Sequence, residues 1–328
     1  MRIEQSRLAF AAIAALVTAS CSGPQSSLMP AGDDAQRIDQ LFRVMAIGAS
    51  AVWLAVVAIA VYSIRMSGSH SYHAASLLVL GGGVALPAIV LTALLVYGMP
   101  LLPAVLALPA DDSLVIHVTG KQWWWRVQYR SPNQTVETAN ELRLPVGRRI
   151  ALQLASDDVI HSFWVPSIAG KMDMIPGRVT RLALEPTRTG VFRGACAEYC
   201  GASHARMAFD VVVMEANAFR AWLEEQAEPA RSAADDLTAR GQLLFTTVGC
   251  SACHTVRGLS TAGQVGPDLT HVGNRLRLAA GTLPKTRGSF SEWIVQPERF
   301  KPGVHMPSFR SLPATDLVAL AAFLDSLQ

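Results

Sequence analysis

The stretch Cys196-Ala197-Glu198-Tyr199-Cys200-Gly201-Ala202-Ser203-His204-Ala205-Arg206-Met207 brings two thiols, an imidazole and a thioether close together in the chain. These donors are soft or borderline, so they favour copper or zinc over hard cations such as magnesium or calcium. A structural zinc site would have little use for Met207. A copper chaperone could use the two cysteines with a distant histidine, but it would not explain why His204 and Met207 lie so close. The stretch therefore predicts a copper site.

Short predicted strands surround this stretch. The segments 114–118, 125–129, 149–154 and 210–214 are rich in β-branched and aromatic residues, and turns containing Pro or Gly separate them. Several short strands within one region predict an antiparallel sandwich or barrel. We therefore expect an all-β domain over residues 111–225.

A second cluster, Cys250-Ser251-Ala252-Cys253-His254, has the Cys-x-x-Cys-His spacing of covalent c-type haem attachment. In such a site Cys250 and Cys253 hold the porphyrin as thioethers and His254 binds the iron. A redox-active dithiol is the alternative, but it would not need the adjacent histidine. The helical pattern at residues 237–248 and 314–327 predicts an all-α haem domain over 237–328, and residues 226–236 are expected to form a linker.

The sixth ligand of the haem iron follows by elimination. Met306 is the only methionine between Glu215 and Gln328. A thioether ligand raises the reduction potential of a haem. His271 and His305 are the competing ligands.

The N-terminal third of the chain predicts export and membrane insertion. Residues 1–20 have the basic start, short apolar run and small residues of a signal sequence. Cys21 follows directly, which favours lipid attachment there, with ordinary cleavage as the alternative. Within residues 21–110, two apolar helices at about 42–65 and 74–98 would form a transmembrane hairpin rather than a buried soluble one, and both chain ends would lie outside.

The composition limits the class of protein. The chain is 51% hydrophobic and only 16% charged, which argues against a wholly soluble cytosolic protein and against a disordered one. The formal net charge of +3 is small and scattered, so no nucleic-acid partner is expected. These figures fit a multidomain membrane protein.

Taken with His161 and the tryptophans 123–125, the stretch 196–207 resembles the binuclear CuA domain of cytochrome c oxidase subunit II. The likeness runs from about residue 37 to residue 223. It implies a cupredoxin domain behind a two-helix membrane hairpin, and it identifies Trp123 as the point where electrons enter. It also implies the copper ligands, with two bridging thiolates, one imidazole on each copper and two weak axial groups: Cys196, Cys200, His161, His204, Met207 and the Glu198 carbonyl.

The resemblance and the haem signature together predict subunit II of a bacterial respiratory haem–copper oxidase with a fused cytochrome c domain. Such a chain would sit in the inner membrane as a multi-pass protein, in contact with membrane lipid, with its copper and haem domains on the periplasmic or outer face. Its partners would be oxidase subunit I, which reduces oxygen, subunit III, and an external cytochrome c or similar donor. The alternatives are the CuA and haem c subunit of a nitric oxide reductase and, from another class, a copper-delivery protein.

The charges of the two exported domains suggest which haem donates to the copper. Residues 111–225 hold 13 basic and 13 acidic residues, and residues 236–328 hold 9 basic and 6 acidic ones. Such a neutral copper domain supplies little long-range attraction for a separate basic cytochrome. We therefore expect the haem of the same chain to be the usual donor, with its domain docked near Trp123.

Overall fold

The computed structural model of the chain describes residues 22–66, 71–107, 109, 114–131, 134–261 and 263–328. The expected signal sequence and the expected lipid-attachment residue Cys21 lie outside these described residues. The chain divides into two compact units: Gln36–Ala107 forms one, and the rest of the described chain forms the other. The copper-type stretch and the haem signature therefore belong to the same unit.

The first apolar helix, α1 (Asp33–Arg65), begins earlier than the apolar run that starts near residue 42. Its first turn contains Asp33 and Asp34, whose negative charges interact favourably with the positive end of the helix dipole. Arg65 lies in the last turn, where a positive charge is favourable for the same reason. The polar first turns thus extend the helix beyond its apolar part.

The second apolar segment is helical throughout but changes its winding. α2 (Tyr72–Leu77) continues into a π-helix (Leu78–Ala85) and then into α3 (Leu86–Gly98), with a short α4 (Leu101–Leu106) after it. The π-helix contains the triple glycine at which the sequence predicts a kink, and Pro87 follows directly in the first turn of α3. Proline cannot donate a hydrogen bond to the preceding turn, and wider winding is one way a helix adapts.

Both apolar segments are long and apolar enough to cross a membrane. None of the residues in their most apolar windows is buried in the structure. A hairpin in the core of a soluble protein would bury these side chains, whereas a membrane helix exposes them to lipid. The exposure therefore favours the membrane hairpin over the soluble alternative.

The β domain is built from two five-stranded sheets. Its strands are β1 (Val115–Lys121), β2 (Trp124–Ser131), β3 (Gln134–Ala139), β4 (Glu141–Pro145), β5 (Ile150–Ser156), β6 (His161–Trp164), β7 (Met172–Met174), β8 (Thr180–Leu184), β9 (Gly190–Cys196) and β10 (Ala208–Met214). The strand orders are β3-β2-β1-β5-β8 and β4-β10-β9-β6-β7. This confirms the predicted cupredoxin-like domain.

Two strand pairs differ from the expected antiparallel arrangement. β1 pairs with β5, and β4 with β10, in parallel. Each pair is parallel because the chain crosses to the opposite sheet between the two strands instead of turning straight back. Alternate residues of β1 and β5 are buried, so one face of the first sheet forms part of the core.

Strand pairing places the predicted copper donors at one end of the β domain. β6 begins with His161 and pairs with β9, so that Phe163 lies opposite Cys196. β9 and β10 are antiparallel, with Ala208 opposite Ala195, and the loop 197–207 closes this hairpin. The sheet therefore brings His161, distant in sequence, to the start of the cysteine loop.

An aromatic cluster supports this end of the sheet. The ring of Trp125 lies 5.9 Å from that of Phe163 and 5.2 Å from that of Phe209, and the two phenylalanine rings stack at 4.7 Å. All three side chains are buried. Gly194 lies against the Phe209 ring, where any Cβ would collide with it. The loop that carries the cysteines thus rests on a closely packed floor.

The C-terminal domain is helical, as predicted. After α5 (Ala216–Ala227), which closes the β domain, it contains α6 (Asp236–Thr247), α7 (Arg287–Val295), α8 (Pro297–Phe300), α9 (Ala314–Ser326) and two 3₁₀ turns, Cys250–Ala252 and Val272–Asn274. It also contains a small hairpin of β11 (Arg277–Leu278) and β12 (Leu283–Pro284). Strands of two residues carry no periodic pattern, so the sequence does not reveal them.

The segment between α5 and α6, residues 228–235, packs along the haem domain. Ala230 N donates to the Arg257 carbonyl at 2.8 Å. In return, the Arg257 guanidinium donates to the carbonyls of Gln226 and Glu228. The residues expected to be a linker are thus held by hydrogen bonds to the domain that follows them.

Replacing Gly241 by alanine tests the helix crossing that supports the haem domain. Gly241 of α6 lies so close to the Ala319 carbonyl of α9 that a Cβ would collide with it. Overpacking of this kind costs about 1–3 kcal/mol, so Gly241→Ala should lower the free energy of unfolding by that amount. Urea unfolding of the full chain in detergent, followed by circular dichroism, measures the change.

Gly288→Ala is the matched control. Gly288 also lies in a helix, but the nearest atom to the new Cβ would be Oγ1 of Thr286, at an unstrained 3.8 Å. Alanine there should be neutral or stabilise by up to about 1 kcal/mol. Equal destabilisation in both variants would contradict the proposed role of the crossing.

Candidate copper and haem sites

The predicted copper donors form one contiguous cluster. The sulfur of Cys196 lies 3.8 Å from the sulfur of Cys200 and 3.8 Å from Nδ1 of His161. The sulfur of Cys200 lies 3.6 Å from Nδ1 of His204 and 3.8 Å from Sδ of Met207. His161, both cysteines and Met207 are buried, and His204 is half-buried.

The sixth predicted donor also faces this cluster. The carbonyl oxygen of Glu198 lies 3.1 Å from the sulfur of Cys196. The cluster thus offers two sulfurs that can be shared, with an imidazole beside each of them and a thioether and a carbonyl at its edge. Such a donor set fits copper, because thiolate and thioether ligands are soft and imidazole is borderline.

The two thiols share a hydrogen bond that shifts both of their pKa values. The pKa of Cys196 is lowered, mainly by its hydrogen bond with the Cys200 thiol. The pKa of Cys200 is raised, mainly by the same hydrogen bond. Burial alone would lower the pKa of His161, but hydrogen bonds with Cys196 and Asp158 raise it. The shared hydrogen bond therefore stabilises the thiolate form of Cys196 relative to that of Cys200.

Asp158 supports the cluster from behind, and sequence reasoning missed it. Nε2 of His161 donates to Oδ1 of Asp158 at 2.8 Å, which leaves Nδ1 facing the thiols. The other carboxylate oxygen of Asp158 accepts from Gln122 N at 2.6 Å. A carboxylate that fixes the ring and tautomer of a metal-binding histidine is a common outer contact. The only signal in the sequence is its position three residues before His161.

The haem signature lines a largely apolar cavity. Cys250, Cys253 and His254 border it, together with side chains such as Phe245 and Leu320 from α6 and α9. Nδ1 of His254 donates to the Pro267 carbonyl at 2.8 Å, so that Nε2 is left for an iron atom. Burial lowers the pKa of His254, which keeps the ring neutral, the form that binds metals. These features fit a c-type haem.

The cavity distinguishes among the candidate sixth ligands. Met306 and His305 both line it. Among the described residues that line the cavity, His271 is absent. Its Nε2 instead donates to the Glu228 carbonyl at 3.0 Å. The geometry therefore favours Met306 or its neighbour His305 over His271.

Trp123 lies between the two sites. Its indole Nε1 donates to the Cys200 carbonyl at 2.9 Å, and the same indole also lines the haem cavity. The imidazole of His305 lies 6.3 Å from it, centroid to centroid. Trp123 is only 5% exposed, so the surface that it would offer to a separate donor is covered.

The other two tryptophans have different surroundings. Trp125 is buried in the aromatic floor, and its ring lies 6.1 Å from that of His161. Trp124 is half-buried, with the cationic groups of Lys121 and Arg126 over its ring at 5.8 and 5.3 Å. Of the three tryptophans, Trp124 is therefore the partly exposed one.

The fold and the two sites define a class of protein. A membrane-anchored β domain with a sulfur-rich donor cluster, followed by a helical domain with a c-type haem signature, has the ligand sets of a protein that binds copper and haem c. Residues 130–216 match the family described as Cytochrome C oxidase subunit II, periplasmic domain, and residues 238–328 match the family described as Cytochrome c. The chain therefore joins a domain similar to the periplasmic domain of cytochrome c oxidase subunit II to a C-terminal domain similar to cytochrome c.

Similar proteins carry the same description. The chain is 36% identical over 218 residues to cytochrome c oxidase subunit 2 of Alkalihalophilus pseudofirmus, with 66% of this chain and 62% of that protein covered. It is 32% identical over 229 residues to cytochrome c oxidase subunit 2 of Bacillus subtilis, with 67% and 64% covered. The match thus spans somewhat less than two thirds of the length of these relatives.

A solved structure is also similar over the copper domain. It is the periplasmic domain of subunit II of cytochrome oxidase from Bradyrhizobium japonicum, which is 35% identical in sequence. The alignment covers 37% of this chain and 96% of that one, with a TM-score of 0.35.

Replacing Asp158 tests its role in holding His161. Asp158→Asn keeps the shape of the side chain but weakens the hydrogen bond that fixes the ring. Loss of such an outer contact lowers metal affinity about 10- to 100-fold. Copper retention against a competing chelator, measured on the full chain, should fall accordingly.

Asp157→Asn is the matched control, because Asp157 pairs with Lys121 at 3.1 Å and is half exposed. Its copper retention should be unchanged. If the two variants lost copper at the same rate, a general charge effect would explain the result better than ring orientation.

Proposed function

We propose that this chain is the electron-accepting subunit II of a bacterial respiratory haem–copper oxidase. The observation that carries the proposal is the position of Trp123, which contacts the copper loop on one side and the haem cavity on the other. The names of the similar proteins and the order of the two matched domains support it.

The copper ligands in this proposal are the six groups of the cluster. Cys196 and Cys200 would bridge two copper ions, with His161 and His204 each binding one of them. Met207 and the Glu198 carbonyl would be weak axial ligands.

Haem c would be attached through Cys250 and Cys253. His254 and Met306 would be the iron ligands. Bound to these residues, haem c and the copper pair supply reversible one-electron chemistry that passes electrons from an external donor towards the oxygen-reducing subunit.

The chain itself contributes geometry and exclusion of water. Cys196 and Cys200 would hold the copper pair together with the two histidines, and the copper would supply one-electron chemistry there. Buried packing around Cys200 and Met207 keeps solvent away from the cluster. Asp158 fixes the orientation of His161, and Trp123 provides a contact between the two sites.

The partners in this proposal are oxidase subunits I and III, an external cytochrome c or similar donor, and membrane lipid. The domain boundaries are a signal sequence at 1–20, the hairpin segment 21–110, the copper domain 111–225, the connecting residues 226–236 and the haem domain 237–328. The chain would reside in the bacterial inner membrane with both cofactor domains on the outer face.

Co-purification of the complex, followed by assays with oxygen and with nitric oxide, tests the proposal. Turnover of nitric oxide alone would overturn it.

The metal content tests the ligand assignment. A binuclear site and one haem per chain predict two copper atoms per iron atom in the purified full chain, by metal analysis.

Cys200→Ser removes a shared sulfur and should abolish the mixed-valence copper signal while the haem spectrum persists. Met207→Leu should be milder, because an axial thioether contributes less than a bridging thiolate. A single exchangeable copper per chain would instead support a copper-delivery protein.

Trp123→Phe tests the route between the two sites. Phenylalanine lacks the Nε1 proton that binds the Cys200 carbonyl, and it leaves a gap beside the haem cavity. Small displacements of reacting partners are costly, so the rate of haem-to-copper electron transfer should fall about tenfold or more. Flash-induced kinetics measure this rate, and both cofactor spectra should remain unchanged.

Trp124→Phe provides the comparison, because Trp124 also lines the haem cavity but makes no hydrogen bond to the Cys200 carbonyl among the described contacts. Its transfer rate should be close to that of the unaltered chain. A normal rate in the Trp123 variant would remove the support for this route.

A further inference from the structure

One short segment of the haem domain, residues 300–306, is seated directly on the copper loop. We call it the docking segment. The Arg206 guanidinium of the copper loop donates to the Phe300 carbonyl. The hydroxyl of Ser203 donates to the Pro302 carbonyl at 2.9 Å. The segment ends at Met306, so the same few residues that contact the copper loop also reach the haem cavity.

Lys301 makes the most unusual contact of the docking segment. Its Nζ donates to the backbone carbonyl of Trp123, and the side chain is only 2% exposed. No salt bridge to Lys301 is found within the part of the chain that the structure describes. Burial lowers its pKa to about 7. A buried ammonium group without a paired carboxylate is costly, and it is tolerated where its hydrogen bond requires that position.

Gly303 brings the backbone of the docking segment against the indole of Trp123. A Cβ at Gly303 would lie 2.9 Å from Cη2 of Trp123, closer than carbon atoms can approach. The φ angle of Gly303 is +81°, a conformation that favours glycine. Lys301 and Gly303 thus hold the two sides of the Trp123 residue, its carbonyl and its ring.

A second set of contacts fixes the haem domain at another edge of the copper domain. Leu276 N donates to the Glu141 carboxylate at 2.9 Å, and Ala208 N donates to the Ala280 carbonyl at 3.3 Å. Arg277 forms an ion pair with Asp210 at 3.5 Å. Because two separated segments are attached, the haem domain has a defined orientation, and the docking segment decides how it meets Trp123.

We propose that Lys301 is a positioning residue that keeps the haem domain docked on Trp123. Electron transfer then does not have to wait for the haem domain to reach Trp123 by diffusion. The proposal rests on the haem-to-copper electron transfer proposed above. It adds a residue that holds the haem domain and the copper domain together. Lys301 touches neither cofactor cluster as a ligand. It acts through the Trp123 carbonyl.

The test compares Lys301→Met with Lys285→Met in the full chain within its complex. Methionine keeps the apolar stem of lysine and removes the ammonium group. Lys285 serves as the control, because its Nζ also donates to a backbone carbonyl, that of Gly273 at 2.8 Å, but within the haem domain, where it also pairs with Asp325 at 3.6 Å. Two quantities are measured: hydrogen–deuterium exchange of the backbone amides at 200–207, and the haem-to-copper transfer rate as a function of solvent viscosity.

The proposal expects Lys301→Met to raise exchange in the copper loop and to lower the transfer rate about tenfold. The remaining transfer should become dependent on viscosity, because the domain must then find its position by diffusion. Both cofactor spectra should be unchanged, and Lys285→Met should match the unaltered chain. A viscosity-independent, undiminished rate in Lys301→Met would overturn the proposal, whether or not exchange increases.

A second pair of variants covers the case in which Lys301→Met does not fold. Gly303→Ala places a Cβ against Trp123, whereas Gly177→Ala has a similar φ of +76° in open space. Only the Gly303 variant should show slower, viscosity-dependent transfer. Equal behaviour of the two would overturn the proposal. Absence of haem-to-copper transfer in the unaltered chain would refute the proposed function. Failure of the proposed function can therefore be distinguished from failure of the Lys301 proposal.

Discussion

Two buried sulfur atoms 3.8 Å apart set the requirements for the rest of the exported structure. A turn of the chain can place Cys196 and Cys200 close together, but it cannot supply the first imidazole. Strand pairing does so, because β6 lies beside β9 and carries His161 to the start of the loop. The parallel pairings arise from the same need for the chain to cross between sheets. The aromatic floor under the loop then keeps these positions from relaxing.

The same loop also determines where the haem domain sits. Its inner face presents donors to the copper cluster, and its outer face binds the docking segment through Ser203 and Arg206. Trp123 completes this arrangement, since its indole bonds to the carbonyl of a cluster residue and its own carbonyl accepts from Lys301. The face of the loop that carries the copper donors and the face that binds the docking segment are therefore connected through only a few hydrogen bonds.

Local patterns in the sequence predicted the parts that depend on few neighbouring residues. The cysteine loop, the haem signature and the apolar helices are of this kind. Asp158 and Lys301 could not be predicted, because each acts through a contact made by residues far away in the chain. Asp158 is one of several carboxylates, and Lys301 resembles a surface lysine until the two domains are packed together. The parallel pairing of β1 with β5 was missed for the same reason.

The contacts between the two domains explain how a nearly neutral copper domain can hold the haem domain. Long-range steering requires opposite net charges. The copper domain has 13 basic and 13 acidic residues, so it has no net charge to attract the haem domain from a distance. The pairs that do cross the interface, such as Arg277 with Asp210, include partly buried groups that salt screens weakly. Such short-range contacts form only after the surfaces have met. The covalent connection through residues 228–235 keeps the surfaces within reach, so the buried contacts need only select an orientation. Fusion of the two domains thus replaces attraction at a distance with a fixed arrangement at contact.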